Sequence, residues 1–203
     1  MGIIRLYEIC PEAEKAGVEN AVVTGVTDNT AEVKQGSIFV CVKGARFDGH
    51  SAAAEMLSKG AVMIVTDHDI KCGKQLVTDN TRLCLARLLN CFYGKPSEKL
   101  GLLAVTGTNG KTTTAHFVKH ILTTLGKKCG CVGTAGNDTC SGELKPSQHG
   151  TPTVPRATVL YSWLGEMVSN GADYCVMEAS SQALDQYRIG DERLAVAGFT
   201  NLT

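Results

Sequence analysis

Neither sign of charge is in excess in this sequence. Lys plus Arg and Asp plus Glu number 20 each, a formal net charge of +0 at pH 7. Such a balance sets up no long-range field toward nucleic acid or an anionic membrane surface, so any anion must be held by local groups. Long apolar runs are missing too. None approaches the roughly 20 residues that cross a bilayer, and the opening MGIIRLYEIC lacks the apolar stretch of a signal peptide. The expectation is a soluble, cytoplasmic protein with no nucleic-acid or membrane partner, a monomer being favoured. The chain also has no C-x-x-C pair, no internal repeat and no low-complexity tract.

What is present is a globular composition. The 203 residues are 43% hydrophobic, enough for a core and for one large or two small domains. Nine cysteines are many for this length. Cys41, Cys84, Cys91, Cys129, Cys131 and Cys175 lie in or beside apolar segments, where a free thiol packs as a small hydrophobe. Reduced core thiols, consistent with a reducing compartment, are therefore expected rather than disulfides or a metal framework.

Apolar runs and turn signals divide the chain. Residues 1–97 read as a small α/β unit: a strand at Ser37–Val42, a helix at Ser51–Lys59 closed by Gly60, and a strand at Ala61–Thr66 forming a β-α-β crossover. A helix from Asn80 to Phe92 follows, with Leu85, Leu88, Leu89 and Phe92 at helical spacing. The turn-rich Tyr93–Ser97 marks the boundary of a second unit, 98–203. There, strands are expected at Leu100–Val105, Lys128–Val132, Asp173–Met177 and Leu194–Phe199. A helix is expected at Arg156–Ser169, after a long polar segment from Gly133 to Pro155. Strands alternating with helices predict a parallel, doubly wound sheet whose ligands gather at the carboxyl ends of the strands.

The most informative stretch is Thr106–Thr114, TGTNGKTTT. It follows the strand Leu100–Val105 and precedes a helical pattern with Val118, Ile121, Leu122 and Leu125 on one face. A strand entering a glycine turn and leaving as a helix turns backbone amides and a helix N-terminus toward one spot, which suits a polyphosphate. Gly107, Thr108, Asn109, Gly110, Lys111, Thr112 and Thr113 are the expected ATP-binding residues. Lys111 supplies positive charge, and the Thr112 hydroxyl is a candidate Mg²⁺ ligand. The general phosphate-loop pattern would need glycine where Val105 stands. Farther on, Glu178 ends a strand and should emerge on the same rim. It can hold Mg²⁺ there or pair with a lysine, and position alone does not choose.

Gly-Thr-Asn-Gly-Lys-Thr-Thr resembles the phosphate loop of the Mur ligase superfamily, ATP-dependent amide-forming enzymes of peptidoglycan synthesis and their relatives. Met177-Glu178-Ala179-Ser180-Ser181-Gln182-Ala183-Leu184 is similar to that family's M-E-x-S-S-[HQ]-x-L. Asn29–Phe39 resembles D-S-R-x-V-x-P-G-x-[LI]-F, and Gly44–His50 the G-x-x-x-D-G loop. Gly150-Thr151-Pro152 stands where the family has T-T-P. Together these point to the branch that joins a diamino acid, meso-diaminopimelate or L-lysine, to UDP-N-acetylmuramoyl-L-alanyl-D-glutamate.

The resemblance implies an α/β fold: a small N-terminal UDP-binding domain, then a phosphate-loop parallel-sheet ATPase domain that is truncated, with the C-terminal amino-acid domain absent. It implies Lys111 and Glu178 as catalytic residues, and Thr112 and Glu178 as Mg²⁺ ligands. Thr30 would contact uracil, and Ala45 and Arg46 lie in the loop closing over uridine. Thr151, Ser180, Gln186 and Arg188 would contact the muramoyl-dipeptide. The substrate carboxylate would attack the γ-phosphate of ATP to give an acyl phosphate, which an amine then displaces. The chain alone would be an inactive fragment. Two alternatives stay open: a non-catalytic nucleotide or UDP-sugar module, and another amide ligase such as folylpolyglutamate or cyanophycin synthetase.

Overall fold

The computed structural model describes residues 3–145 and 153–202. Contacts divide the chain between Phe92 and Tyr93, ahead of the boundary expected at Ser97. The reason is a short helix, Pro96–Lys99, which packs within the second unit.

In the first unit β1 (Ile4–Arg5) leads into α1 (Leu6–Ile9) and α2 (Glu12–Lys15), and β2 (Val22–Val23) returns antiparallel to β1. Then come β3 (Gly25–Thr27), β4 (Ser37–Val40), a 3₁₀ turn at Gly49–Ala52, α3 (Ala53–Ser58), β5 (Met63–Thr66), β6 (Gln75–Val77) and α4 (Thr81–Phe92). Strands β3-β4-β5-β6 form one parallel sheet in sequence order, with Phe39 opposite Ile64. The expected β-α-β crossover is β4-α3-β5. Alternation along β4 and β5 sends Phe39, Cys41 and Ile64 to the α3 side, where they pack with Ala53 and Met56. Ile38, Val40, Met63 and Val65 face the other way, and α4 packs against β3, β4 and β5. Both faces are covered, as a parallel sheet requires. The short ribbon β1–β2 carries too few residues to show a period, and the sequence did not reveal it.

In the second unit α5 (Pro96–Lys99) precedes β7 (Gly101–Thr106), α6 (Lys111–Thr124), β8 (Cys129–Val132), β9 (Asn137–Asp138) and β10 (Leu144–Lys145). After the undescribed residues come α7 (Ala157–Ser169), β11 (Tyr174–Glu178), α8 (Ser181–Asp185) and β12 (Val196–Phe199). The sheet order is β10-β9-β8-β11-β7-β12, with β8, β11, β7 and β12 mutually parallel and β9 and β10 antiparallel. Helix α6 covers one face, packing Ala115, Val118 and Leu122 on Val105, Cys129, Cys131 and Val176. Helix α7 covers the other: a Cβ at Gly130, which points away from Cys129 and Cys131, would lie 2.6 Å from Met167 Sδ. Both units are thus α/β with parallel sheets, as expected.

One expectation is corrected. The apolar face of α6 does not include Ile121 and Leu125, which are 55% and 70% exposed. Ala115 completes the stripe of Val118 and Leu122, while Ile121 lies farther around the helix and Leu125 is its C-cap, past the last helical residue Thr124. Within the polar segment after Val132, β9 and β10 extend the sheet.

None of the nine cysteines forms a disulfide among the described residues. Burial pushes Cys129 up to about 12 and Cys131 to about 11, and holds Cys175 well above its ordinary value. At pH 8 a thiol reagent should therefore label the partly exposed Cys72 and Cys140 in the native chain. Cys129, Cys131 and Cys175 should react only on unfolding. Peptide mapping after timed alkylation checks this; labelling of Cys175 in the folded chain contradicts the packing.

Candidate functional site

Strand β7 ends at Thr106, and the chain turns through Gly107 to Gly110 before α6 begins at Lys111. Gly107 has φ +128°, and a Cβ there would lie 2.2 Å from Thr200 Oγ1 and 2.9 Å from the Asn201 carbonyl oxygen. Only glycine fits this approach. Gly110 caps the helix in the left-handed region. The amides opening α6 have no acceptor within the helix, and the helix dipole is positive at that end.

Lys111 folds back over the turn, its Nζ donating to the carbonyls of Gly107 (2.6 Å) and Thr108 (3.0 Å). The ammonium is thus carried at the mouth of the turn, bound among the described residues to neutral carbonyl oxygens that a phosphate can replace. The amides of Thr108 and Asn109 donate to the carbonyl (3.0 Å) and side-chain oxygen (3.1 Å) of Asn201, which braces the loop. Thr200 Oγ1 and Asn201 Nδ2 complete the brace by donating to the Asn109 carbonyl at 2.6 and 3.2 Å. The sequence reading missed this pair. It follows from β12 lying beside β7, which strand patterns alone do not reveal.

Glu178 closes β11, directly opposite Val105 of β7, so it leaves the sheet on the edge where the glycine turn begins. Its side chain is 1% exposed. Oε2 accepts from Thr112 Oγ1 at 2.7 Å. Oε1 accepts from the Thr134 amide at 2.9 Å, and Thr134 Oγ1 lies 3.2 Å from both carboxylate oxygens. Thr112 and Thr134 hydroxyls are 2.9 Å apart. A buried carboxylate held by these neutral donors remains electrostatically under-compensated, a condition a cation relieves. The donor set is hard oxygen, and neighbouring ligands of one octahedral Mg²⁺ stand about 2.9 Å apart. The observed spacings fit that ion. Thr134 is a further residue the sequence reading missed; β8 lies beside β11, which carries the loop after β8 to Glu178.

Ser180, Gln186 and Arg188 lie around α8 on the chain leaving Glu178. Ser180 caps α8, accepting from the Ala183 amide at 3.2 Å. Arg188 and Gln186 meet: Nε and Nη2 donate to Gln186 Oε1 at 3.1 and 2.7 Å, while Nη1 donates to the Val154 carbonyl at 2.8 Å. Thr151 lies outside the described residues. In the first unit Thr30 is half-buried in the turn after β3. Ala45 and Arg46 are exposed in a tight turn in which Gly44 donates to the Phe47 carbonyl and Lys43 bridges Asp48. Both turns follow the carboxyl ends of adjacent parallel strands.

Residues 22–106 match the Mur ligase family, catalytic domain, and residues 105–203 match the Mur ligase middle domain. The chain belongs to the Mur ligase family. Curated relatives sharpen the likeness. The UDP-N-acetylmuramoyl-L-alanyl-D-glutamate–2,6-diaminopimelate ligase of Bacillus cereus is 40% identical over 190 residues, 91% of this chain and 37% of the relative. Ligase 2 of that name from Clostridium acetobutylicum is 37% identical over 188 residues, 91% of this chain and 39% of the relative. The chain therefore spans about two fifths of the length of the curated Mur ligases it matches. A solved ligase of the same name superposes with a TM-score of 0.77 at 24% identity over 100% of this chain and 41% of that one, which shows the shared fold. A MurF ligase from Thermotoga maritima, solved in complex with ADP, gives a TM-score of 0.50 at 25% identity, covering 77% of this chain and 32% of that one.

Proposed function

We propose that this chain carries the ATP-phosphate and UDP-sugar sites of a ligase that adds a diamino acid to UDP-N-acetylmuramoyl-L-alanyl-D-glutamate. The observation that carries the reading is Glu178 bonded to Thr112, one residue from Lys111, at the tip of two adjacent parallel strands. The relatives' names supply the substrate class, and the ADP complex of a related ligase supports a nucleotide.

On this reading the opening turn of α6 and Lys111 hold the β- and γ-phosphates. Thr112 and Glu178, with Thr134 beside them, would hold Mg²⁺, which would supply positive charge to offset that developing on the phosphates. Lys111 lowers the repulsion a substrate carboxylate meets on approaching a polyanion. Arg188 and Gln186, with Ser180 and Thr151, orient the muramoyl-dipeptide, reducing the entropic cost of alignment. Thr30 and the turn bearing Ala45 and Arg46 hold the uridine end. The amide-forming step also needs a site for the diamino acid, and on this reading the 203 residues bind nucleotide and UDP-sugar without ligating.

Calorimetric titration tests this. ATP with Mg²⁺, and separately UDP-N-acetylmuramoyl-dipeptide, should each bind saturably at one equivalent, and ATP binding should weaken when Mg²⁺ is withheld. A parallel phosphate-release assay should show no ATP turnover by this chain; sustained phosphate release would mark a hydrolytic module instead. Failure to bind ATP–Mg²⁺ refutes the proposal.

A further inference from the structure

A second constellation lies in the first unit and takes no part in the proposed nucleotide chemistry. Strands β4 and β5 are adjacent and parallel, so the 3₁₀ turn after β4 and the loop after β5 leave the same edge of the sheet. The turn brings His50, and the loop brings Asp67 and His68. Their ligand atoms all lie within 4.8 Å of one another.

His50 is the decisive member. Its side chain is only 10% exposed. Asp48 Oδ1 accepts from the His50 amide at 3.1 Å and lies 2.6 Å from Nδ1; in the neutral tautomer that donates Nδ1–H to Asp48, the lone pair is on Nε2. Nε2 is fully buried and has no hydrogen-bond partner among the described residues. Asp67 Oδ1 stands 3.1 Å from it, outside hydrogen-bond geometry. An imidazole lone pair facing a carboxylate oxygen at that distance repels unless something positive lies between them. His68 Nδ1 is 2.5 Å from the same oxygen, and its ring lies 4.9 Å from that of His50 at 31°. The fully buried Thr66 fixes this loop by donating to the His68 carbonyl at 2.9 Å.

We propose that His50 Nε2, His68 Nδ1 and Asp67 Oδ1 bind a divalent transition metal ion of the zinc class, with solvent as fourth ligand. Two imidazoles and one carboxylate form a borderline donor set, suited to Zn²⁺ and poorly suited to Mg²⁺. Ligands about a tetrahedral zinc stand roughly 3.3 Å apart, so the Asp67–His68 contact opens by less than an ångström. Asp48 is a positioning residue: its carboxylate on Nδ1 orients the ring and strengthens Nε2 as a donor. The ion ties the turn after β4 to the tip of β5, fixing the end of the segment that bears Ala45 and Arg46. None of this depends on the phosphate-loop reading.

The test is titration of the metal-free 203-residue chain with Zn²⁺ by calorimetry and with Co²⁺ by visible absorption. One equivalent should bind, giving the bands of tetrahedral cobalt without thiolate charge transfer, and excess Mg²⁺ should not compete. His68→Asn, at an exposed position, should weaken Zn²⁺ binding at least about tenfold while circular dichroism stays unchanged. Asp48→Asn should weaken it about 10- to 100-fold. Absence of binding, a cobalt spectrum with thiolate character, or unaltered affinity in His68→Asn overturns the proposal. Lys111→Ala should bind zinc as the parent does, which separates this outcome from failure of the nucleotide site.

Discussion

Lys111→Ala should fold normally and bind ATP–Mg²⁺ about 30-fold more weakly, or worse. Among the described residues the side chain bonds to the carbonyls of Gly107 and Thr108, on the partly exposed turn, so removing it strands no buried group there. The turn is independently braced by Thr200 and Asn201, so its backbone should survive. What disappears is a full charge next to a polyanion. Losing one member of such a pair costs about 2–5 kcal/mol, and every 1.4 kcal/mol or so is tenfold in affinity. Lys111→Arg is the informative companion: it keeps the charge but replaces a compact ammonium with a planar fork, and recovers only part of the affinity. Calorimetry on both variants, with circular dichroism as the folding control, reads the result. Parent-like binding by Lys111→Ala would move the phosphates elsewhere.

The strand, glycine turn and helix around Lys111 were readable from sequence because their signals are local: two glycines at a turn, a lysine, and a hydroxyl heading a helix. Glu178 was readable as a strand-end carboxylate, but the sequence left it between a metal role and a lysine pair. The fold places β11 between β8 and β7, which sets the carboxylate between Thr134 and Thr112. Strand order is a long-range property that hydrophobic periodicity does not encode, and so Thr134 and Asn201 escaped notice. The same limit explains α6, whose apolar residues fit two overlapping stripes until the sheet selects the one through Ala115. Two-residue ribbons such as β9–β10 are too short to carry any period. Asp67 and His68 were invisible for a similar reason: they meet His50 only because β4 and β5 are neighbours.

Gly133→Ala should damage the site more than its size suggests. An added Cβ would stand 2.0 Å from Glu178 Oε1 and 2.7 Å from Cδ. An exposed side chain could step aside, but Glu178 is 1% exposed and bonded on both oxygens. Either the carboxylate leaves Thr112 and Thr134, or the tip of β8 shifts away from β11. Overpacking of this kind costs about 1–3 kcal/mol, readable as a lower denaturation midpoint at unchanged slope. Both responses pull apart the oxygens assigned to Mg²⁺, so the dependence of ATP affinity on Mg²⁺ should largely vanish, as it should in Glu178→Gln. Gly25→Ala is the control: a Cβ there meets nothing within 4 Å, and it should leave nucleotide binding unchanged. If Gly133→Ala keeps parental stability and Mg²⁺ dependence, Glu178 is not packed against that strand end, and the metal site built on it fails with it.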